Sequence, residues 1–238
     1  MKTKVLIIGI VGIILSLALS ITSLSLVLIN LSKSDENIFN QNINKVVEIR
    51  VSSDNTVFAY GTGCFISSSG EILTNKHMVY NQTLDCDYQT IQVRLPLEEN
   101  FVDAEILKIS EDSDLAIIKI DKNNTQFFQI GKNVENGQEI YTIGNPSGFG
   151  LSFLKGNVSS KLRNIVYNDV LAQVMQTSLV VNEGNSGGPV FDRNGNLVGL
   201  ISFRLKDKNH ETIQGVSFAV PINKINDFLQ NNWIIKTI

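Results

Sequence analysis

The chain has 238 residues, 43% of them hydrophobic and 18% charged, and its formal net charge at pH 7 is -3. It carries no long basic run, so we expect no nucleic-acid partner, because binding to phosphates depends on clustered Lys and Arg. Its two cysteines exclude a disulfide-rich scaffold, and its two histidines argue against a multi-histidine metal site. We therefore expect neither a metal nor another cofactor.

The N-terminal segment has the composition of a membrane-spanning helix. No charged residue occurs from Val5 to Ser32, and a helix of that length would measure about 42 Å, more than the roughly 30 Å of a bilayer's hydrocarbon core. Lys2 and Lys4 precede this run, and the positive-inside tendency places them in the cytoplasm. We interpret residues 1–32 as a transmembrane signal anchor, and we expect a single-pass protein of the cell membrane whose remaining chain is extracytoplasmic.

A cleaved signal peptide is the alternative interpretation of the same segment. Val5–Leu17 would then be its apolar region, and Ala18-Leu19-Ser20 would be a small-x-small cleavage site. The apolar residues continue past this site as far as Ile29, which is further than a cleaved signal normally extends. This continuation favours the anchor, whereas cleavage would give a secreted protein.

The remainder divides into a polar tether, residues 33–44, and one domain, residues 45–238. Within the domain, short apolar runs typical of strands are separated by turn signals such as Asn136-Gly137 and Asn194-Gly195. The strand candidates are Val47–Val51, Ile91–Leu95, Ala116–Ile120, Glu139–Ile143, Ala172–Met175 and Leu197–Ile201.

One helix is predicted near the C-terminus of this domain. Pro221 suits a first helical turn, and Ile222, Ile225, Phe228 and Leu229 form one apolar stripe behind it. Many short strands followed by a single helix indicate an all-β fold, either an antiparallel barrel or a sandwich.

A serine stands between glycines in the loop Asn182-Glu183-Gly184-Asn185-Ser186-Gly187-Gly188-Pro189-Val190. Glycine lets the backbone approach a ligand closely and turn where a side chain would block it. Such a loop can present a hydroxyl beside backbone N–H groups, which is the arrangement that acyl transfer needs. A Gly-rich β-turn that happens to contain serine is the alternative, so the interpretation depends on a histidine and a carboxylate elsewhere in the chain.

Both partners are available, in the order that one type of catalytic triad requires. His77 follows a β-type run in Gly70–Val79, and Asp114 lies directly before the apolar strand candidate at 116–120. A buried carboxylate that faces histidine Nδ1–H fixes the tautomer and stabilises the imidazolium. The order His, Asp, Ser along a β-rich chain is the order of the chymotrypsin triad.

At this level of detail the chain resembles a trypsin-like serine protease of the HtrA/Deg branch of the chymotrypsin superfamily. Five segments carry the resemblance, in order, from residue 45 to about residue 230. They are Gly61–Ile66 with Thr74-Asn75-Lys76-His77, Ser113–Ile120, Ile143–Gly148, Gln176–Pro189, and Gly215–Pro221. The resemblance implies a chymotrypsin-like double β-barrel with the active site between the barrels.

The resemblance also implies a role for each site residue. Ser186 would be the nucleophile, His77 the general base and then acid, and Asp114 the residue that orients His77. The backbone N–H groups of Gly184 and Ser186 would form the oxyanion hole. Protein or peptide substrates are then expected, among them unfolded extracytoplasmic proteins in quality control.

The substrate pocket of this family is shaped by the residues before the serine loop and by the strand after it. We assign to it Val180, Val181, Ile201, Ser202 and Phe203. No Asp stands among these residues, which disfavours a demand for Arg or Lys and favours a small aliphatic residue before the scissile bond. Arg204 leaves a preference for acidic residues as the alternative.

Several departures from the family bear on regulation. The chain leaves no room for a PDZ domain after Pro221, so we expect no activation by peptides through such a domain. The resemblance leaves a homotrimer open. Cys64 and Cys86 flank His77 in sequence, and a disulfide between them is one of two open alternatives, the other being two free thiols. An inactive protease fold that serves as a binding module at the cell surface is the alternative to an enzyme.

Overall fold

The computed structural model describes residues 2–32, 34–53, 59–81, 83–167, 170–206 and 212–230. Helix α1, Lys2–Ser32, contains the run that we predicted to span a membrane. Its window Ile10–Val27 has a mean hydropathy of 2.4, and none of that window is buried against the protein. Length and composition therefore make α1 a candidate membrane span.

The segment that we predicted to be a polar tether contains a short helix. Residues Asp35–Asn42 form helix α2, whose start is supported by Ser34, because the Ser34 side-chain oxygen accepts a hydrogen bond from the Asn37 N–H at 3.3 Å. Asp35 in the first turn also suits the positive end of the helix dipole. The Asn-rich composition hid this short helix from the sequence analysis.

The compact unit that contains the β-sheets begins at Phe39. The aromatic ring of Phe39 packs edge-on against Phe153, with 5.9 Å between the ring centroids. Lys45 Nζ donates to Asn42 Oδ1 at 2.9 Å, and Asn42 is buried. The contact of Phe39 with Phe153 attaches the start of the unit to the sheets.

Sixteen strands follow in the described part of the chain. They are β1 Val46–Ser52, β2 Ala59–Phe65, β3 Glu71–Thr74, β4 Tyr80–Asn81, β5 Cys86–Asp87, β6 Thr90–Arg94, β7 Val102–Asp103, β8 Glu105–Ile109, β9 Ala116–Lys119, β10 Gln129–Ile130, β11 Glu139–Gly144, β12 Ser152–Tyr167, β13 Val170–Thr177, β14 Pro189–Phe191, β15 Asn196–Lys206 and β16 Thr212–Pro221. Helix α3, Ile222–Gln230, follows β16.

The first half of the domain is a seven-stranded sheet in the order β7-β6-β1-β2-β3-β9-β8. All its neighbouring strands run antiparallel. Its core contains Ile49, Phe65, Ile72, Val93 and Ile118, all at most 1% exposed. These residues are β-branched or aromatic, the types that pack well on a pleated surface.

The second half is a sheet in the order β10-β15-β14-β11-β12-β13-β16, and β15 also pairs with β16. That additional pairing closes six of its strands into a barrel. Its core contains Ile140, Met175, Leu179, Val198 and Ile201. The hairpin turn predicted at Asn194-Gly195 connects β14 to β15, with Gly195 in the left-handed conformation at φ +76°.

The predicted C-terminal helix is present as α3. Ile222, Ile225 and Phe228 on its apolar stripe are buried, and the Lys108 ammonium of the first half lies over the Phe228 ring, 4.5 Å from its centroid. The all-β prediction, with one C-terminal helix and an apolar N-terminal helix, is confirmed.

Candidate active site

The first half of the domain supplies the histidine and the carboxylate. His77 lies in a short 3-10 turn, Lys76–Met78, that follows β3. Asp114 lies in the loop that leads into β9, the neighbour of β3 in the sheet. Asn75, which is fully buried, joins the two segments by donating from its side-chain nitrogen to the Asp114 backbone carbonyl at 2.9 Å.

The imidazole of His77 and the carboxylate of Asp114 are in direct contact. His77 Nδ1 lies 3.0 Å from Asp114 Oδ1 and 2.9 Å from Asp114 Oδ2. The His77 backbone N–H also donates to Asp114 Oδ1 at 3.1 Å. With Nδ1–H donating to the carboxylate, Nε2 is the nitrogen left to accept a proton.

A third donor to the carboxylate comes from the second half of the domain, where the Ser202 hydroxyl on β15 donates to Asp114 Oδ2. Burial acts to raise the pKa of Asp114, but the His77 charge and the hydrogen bonds from His77 and Ser202 outweigh it and hold that pKa below its ordinary value. Asp114 is therefore the ionised partner at neutral pH.

The same pair shifts the pKa of His77 in the opposite direction. Burial acts to lower the pKa of the imidazole, whereas the charge of Asp114 and its hydrogen bond raise it, and the net result is a pKa above the ordinary value. The His77 side chain is 36% exposed, so its outer edge can still meet a substrate. A base whose pKa lies near the operating pH is suited to proton transfer.

The nucleophile candidate lies on the loop between β13 and β14, in the second half of the domain. The Thr62 N–H on β2 donates to the Ser186 backbone carbonyl at 2.9 Å, which brings this loop against the first half. Ser186 Oγ donates to the Ser202 backbone carbonyl at 3.1 Å. Among the described residues, Ser186 Oγ has this partner alone, so it does not yet bond to His77.

Two backbone donors of the same loop have no acceptor. In the described part of the chain, no hydrogen bond forms from the N–H of Gly184 or from that of Ser186. Gly184 adopts φ +93°, and a Cβ there would lie 2.1 Å from the Asn145 carbonyl oxygen, so only glycine fits. The loop thus carries two unused donors beside a hydroxyl.

The five residues that we predicted to line the substrate pocket differ in their surroundings. Val180 is 56% exposed, whereas Val181, Ile201 and Ser202 are 7%, 1% and 4% exposed. The Ile201 side chain belongs to the core of the second half, and the Ser202 hydroxyl faces Asp114. Phe203 stacks on Phe218 with 5.2 Å between ring centroids. Val180 and Val181 are the members closest in sequence to the serine loop.

Arg204, on β15, is engaged by the segment before the serine. Its Nη1 donates to Asn182 Oδ1 at 2.9 Å and lies 3.5 Å from the Val181 carbonyl. Its Nη2 lies 3.6 Å from Glu183 Oε1. The guanidinium is thus bound by the protein's own groups.

The two cysteines are free thiols in the structure, which leaves the alternative of a Cys64–Cys86 disulfide without support. Cys64 is buried on β2, and burial raises the pKa of its thiol strongly. Cys86 is exposed on β5. Among the described residues, no group of three or more His, Cys, Asp or Glu side chains could hold a metal ion. The second histidine, His210, lies outside the described residues.

Three residues organise this site through contacts that the sequence did not predict. The hydroxyl of Ser202 binds Asp114, Asn75 joins the segments that carry His77 and Asp114, and Thr62 contacts the serine loop. Ser202 was assigned to the pocket, and its separation of 88 residues from Asp114 left no local signal for their contact. Asn75 stands in the motif Thr74-Asn75-Lys76-His77, but the motif does not reveal that its side chain binds the Asp114 backbone carbonyl.

Comparisons with known proteins identify the family of the chain. The family profile described as "Trypsin-like peptidase domain" matches residues 61–200. The chain belongs to this family of trypsin-like peptidases, and its relatives include serine endoproteases of the HtrA/Deg type. A probable periplasmic serine endoprotease DegP-like from Pseudomonas putida is 36% identical over 165 residues, which cover 68% of this chain and 32% of that protein. The serine endoprotease DegS from Haemophilus influenzae is 32% identical over 174 residues, which cover 71% of this chain and 49% of DegS.

Solved structures of the HtrA type share the fold. The HtrA-type protease AlgW with tripeptide superimposes with a TM-score of 0.72 at 26% identity, over 83% of this chain and 62% of AlgW. The Rv3671c protease from M. tuberculosis gives a TM-score of 0.68 at 19% identity, over 81% of this chain and 82% of that one, and supports the fold alone. This HtrA/Deg chain spans about a third to a half of the length of the curated relatives named above.

Proposed function

We propose that the domain is a serine endopeptidase that works through an acyl-enzyme. The observation that carries the proposal is the contact of His77 Nδ1 with both Asp114 oxygens, at 3.0 and 2.9 Å. Because Nδ1 is occupied by Asp114, Nε2 is the nitrogen that can accept the proton of a serine hydroxyl.

In this mechanism Ser186 Oγ leaves the Ser202 carbonyl and turns toward His77 Nε2. His77 takes the hydroxyl proton while Oγ attacks the peptide carbonyl, and the imidazolium then returns the proton to the departing amine. In the second half of the reaction His77 takes a proton from water, and the water oxygen attacks the acyl-enzyme carbonyl. The proton then returns to Ser186 Oγ as the new carboxylate is released. Asp114 keeps the ring oriented and stabilises its positive charge, for which its lowered pKa suits it.

The unpaired N–H groups of Gly184 and Ser186 are the proposed oxyanion hole. They would donate to the carbonyl oxygen as it becomes negatively charged in the tetrahedral intermediate. Loss of one such donor in an acyl-transfer enzyme reduces kcat by about 10²–10³.

For the residue before the scissile bond we propose a small aliphatic side chain. Val180 and Val181 are the apolar residues that precede the serine loop. The Arg204 charge is already bound by Asn182 and Glu183, so it offers less to an acidic substrate side chain. A peptide library scanned with the full chain should show Val, Ala, Ile or Leu before the cut, and a profile dominated by Arg, Lys or Glu would contradict this preference.

We also propose that α1 is a retained anchor and that the protease domain lies on the outer side of the membrane. The proposal is supported by the exposed apolar window Ile10–Val27 and by Lys2 and Lys4 before it. In cells whose outer face is accessible, an added protease should degrade the domain. Recovery of the domain from the culture medium would instead support cleavage of a signal peptide.

The test of the enzymatic proposal uses the full chain in detergent micelles. The wild type should react with a fluorophosphonate probe and should cleave unfolded casein, whereas Ser186→Ala should do neither. Ser159→Ala, which changes an exposed serine on β12, should behave as wild type. A wild type that neither reacts nor cleaves would favour the alternative function, a binding module with an inactive protease fold.

A further inference from the structure

The direction of the two proposed oxyanion donors is set by the carbonyl groups of the same peptide units. In a trans peptide the C=O and the N–H point in opposite directions, so a bond that holds the carbonyl also aims the N–H. The Glu183 carbonyl accepts from the Ser147 N–H at 2.7 Å, which turns the Gly184 N–H away from Ser147. The Asn185 carbonyl accepts from the Gly188 N–H at 2.9 Å, which fixes the Ser186 N–H in the same way.

The peptide unit between these two is held by Thr62, a fully buried residue of β2 in the first half of the domain. Its hydroxyl donates to the Gly184 carbonyl at 2.7 Å and accepts from the Asn145 N–H at 2.9 Å. Its backbone N–H donates to the Ser186 carbonyl at 2.9 Å. One side chain therefore ties the serine loop to the turn that contains Asn145.

That turn holds an unusual backbone conformation at Ser147. Its φ of 55° and ψ of 22° are in the left-handed region, which is disfavoured for a residue with a side chain. This conformation accompanies the bond from the Ser147 N–H to the Glu183 carbonyl. The Thr62 hydroxyl bonds to the Asn145 N–H two residues earlier, so it supports the turn as well as the loop.

We infer that Thr62 is a positioning residue whose hydroxyl holds the Asn145–Ser147 turn and the Gly184–Ser186 loop together, with both oxyanion donors aimed before substrate arrives. Loss of the hydroxyl leaves the Gly184 carbonyl and the Asn145 N–H buried without this partner. Unpaired buried groups drive rearrangement, and the Glu183–Gly184 peptide can then rotate. The inference rests on the proposed function, because it assigns the donors a role in the reaction.

The test compares Thr62→Val with Thr62→Ser in the full chain in detergent. Valine keeps the shape and the backbone N–H but loses the hydroxyl, so kcat should fall by about 10–100-fold, less than the roughly 10²–10³ for complete loss of a donor, with KM changed less than about threefold. Thr62→Ser keeps the hydroxyl and should retain most of the wild-type kcat. Affinity for a peptide boronate, which forms a tetrahedral adduct, should fall in parallel with kcat/KM, while affinity for the cleaved product peptide should not.

A second pair of variants tests the same inference at an exposed position. Ser147→Val disfavours the left-handed conformation and should reduce both kcat and the affinity for the boronate. Ser147→Gly accommodates that conformation and should keep both at the wild-type level. If Thr62→Val cannot be purified as a folded protein, the Ser147 pair decides.

The outcomes separate the inference from the proposed function. Wild-type protein that does not react with the fluorophosphonate probe overturns both. A reactive wild type, together with variants at Thr62 and Ser147 that keep kcat and boronate affinity, overturns the inference alone. An equal loss of affinity for boronate and for product peptide would show a general structural defect and would also overturn it.

Discussion

The hydroxyl of Ser202, on β15 of the second half, donates a hydrogen bond to the carboxylate of Asp114 in the first half. The backbone carbonyl of the same Ser202 accepts from Ser186 Oγ at 3.1 Å. Ser202 therefore contacts both the carboxylate and the nucleophile of the proposed triad.

Replacement of Ser202 by Ala should reduce kcat/KM by about tenfold, which corresponds to about 1.4 kcal/mol of transition-state stabilisation. The Ser202 hydroxyl helps to lower the pKa of Asp114, so its loss destabilises the ionised carboxylate that supports His77. Steady-state hydrolysis of a peptide substrate measures the effect, with Ser159→Ala as the matched serine control. A change smaller than about twofold would contradict this role.

The activity of the wild type should rise with pH through the pKa of His77. Protonated His77 cannot accept the serine proton, so activity is present above this pKa and lost below it. Because Asp114 raises the pKa of His77, the midpoint of the acidic limb of kcat/KM should lie above the ordinary value of about 6.5.

Asp114→Asn should move that midpoint to lower pH, since the charge that raised the pKa is removed while burial still lowers it. Activity at neutral pH should also fall by about 10⁴, as expected when the tautomer is no longer fixed. A pH profile over the acidic limb measures both effects. An unchanged midpoint in the variant would show that Asp114 does not govern His77.

Gly187→Ala should destabilise the domain by about 3 kcal/mol, from the left-handed backbone and from overpacking. Gly187 has φ +81°, and a Cβ there would lie 2.1 Å from the Thr62 carbonyl oxygen and 2.3 Å from Thr74 Oγ1. Gly137→Ala is the control, because Gly137 has φ +84° with nothing within 4 Å of an added Cβ. It should lose only about 1 kcal/mol, and equal losses in denaturant titrations would contradict the steric argument.

Arg94→Ala should destabilise the first half of the domain by about 2 kcal/mol. Arg94 Nη2 and Nε contact Glu48 Oε2 and Oε1 at 2.9 and 3.1 Å, and the Glu48 side chain is 8% exposed. Removal of Arg94 leaves the buried Glu48 carboxylate without this partner, which usually costs about 3–5 kcal/mol of stability. The Arg94 side chain is 29% exposed, so solvent screening makes the expected cost smaller.

The Arg94 loss should appear in denaturant titrations at neutral pH. Glu48→Gln combined with Arg94→Ala should recover part of the loss, and a double variant no more stable than Arg94→Ala would contradict the argument.

The sequence could predict the elements whose signals are local. Examples are the apolar alternation of β1, β6 and β9, the Asn194-Gly195 hairpin and the apolar stripe of α3. Each of these signals is contained in a few neighbouring residues. Family motifs supplied His77, Asp114 and Ser186. Helix α2 was missed because its evidence is one capping contact at Ser34 within a polar, Asn-rich run.

The contacts that surround the proposed triad could not be predicted, because they join distant parts of the chain. Thr62 is 122 residues from Gly184, and Ser202 is 88 from Asp114. Nothing in the neighbouring sequence of a threonine on a strand reveals that its hydroxyl is an acceptor for one segment and a donor to another. The burial of Ile201 likewise depends on the closure of the second barrel by β15 and β16.

The hydrogen bonds from Thr62 to Gly184 and Ser186 cross between the two halves of the domain. Neither half contains a complete site, because His77 and Asp114 belong to one half and Ser186 to the other. If the chain is divided in the exposed connection at Asn123-Asn124, between β9 and β10, each fragment should be inactive alone, and mixing them should restore turnover only as they reassociate. Proteolysis by this domain would then report the association of its two halves, as in a split-enzyme sensor.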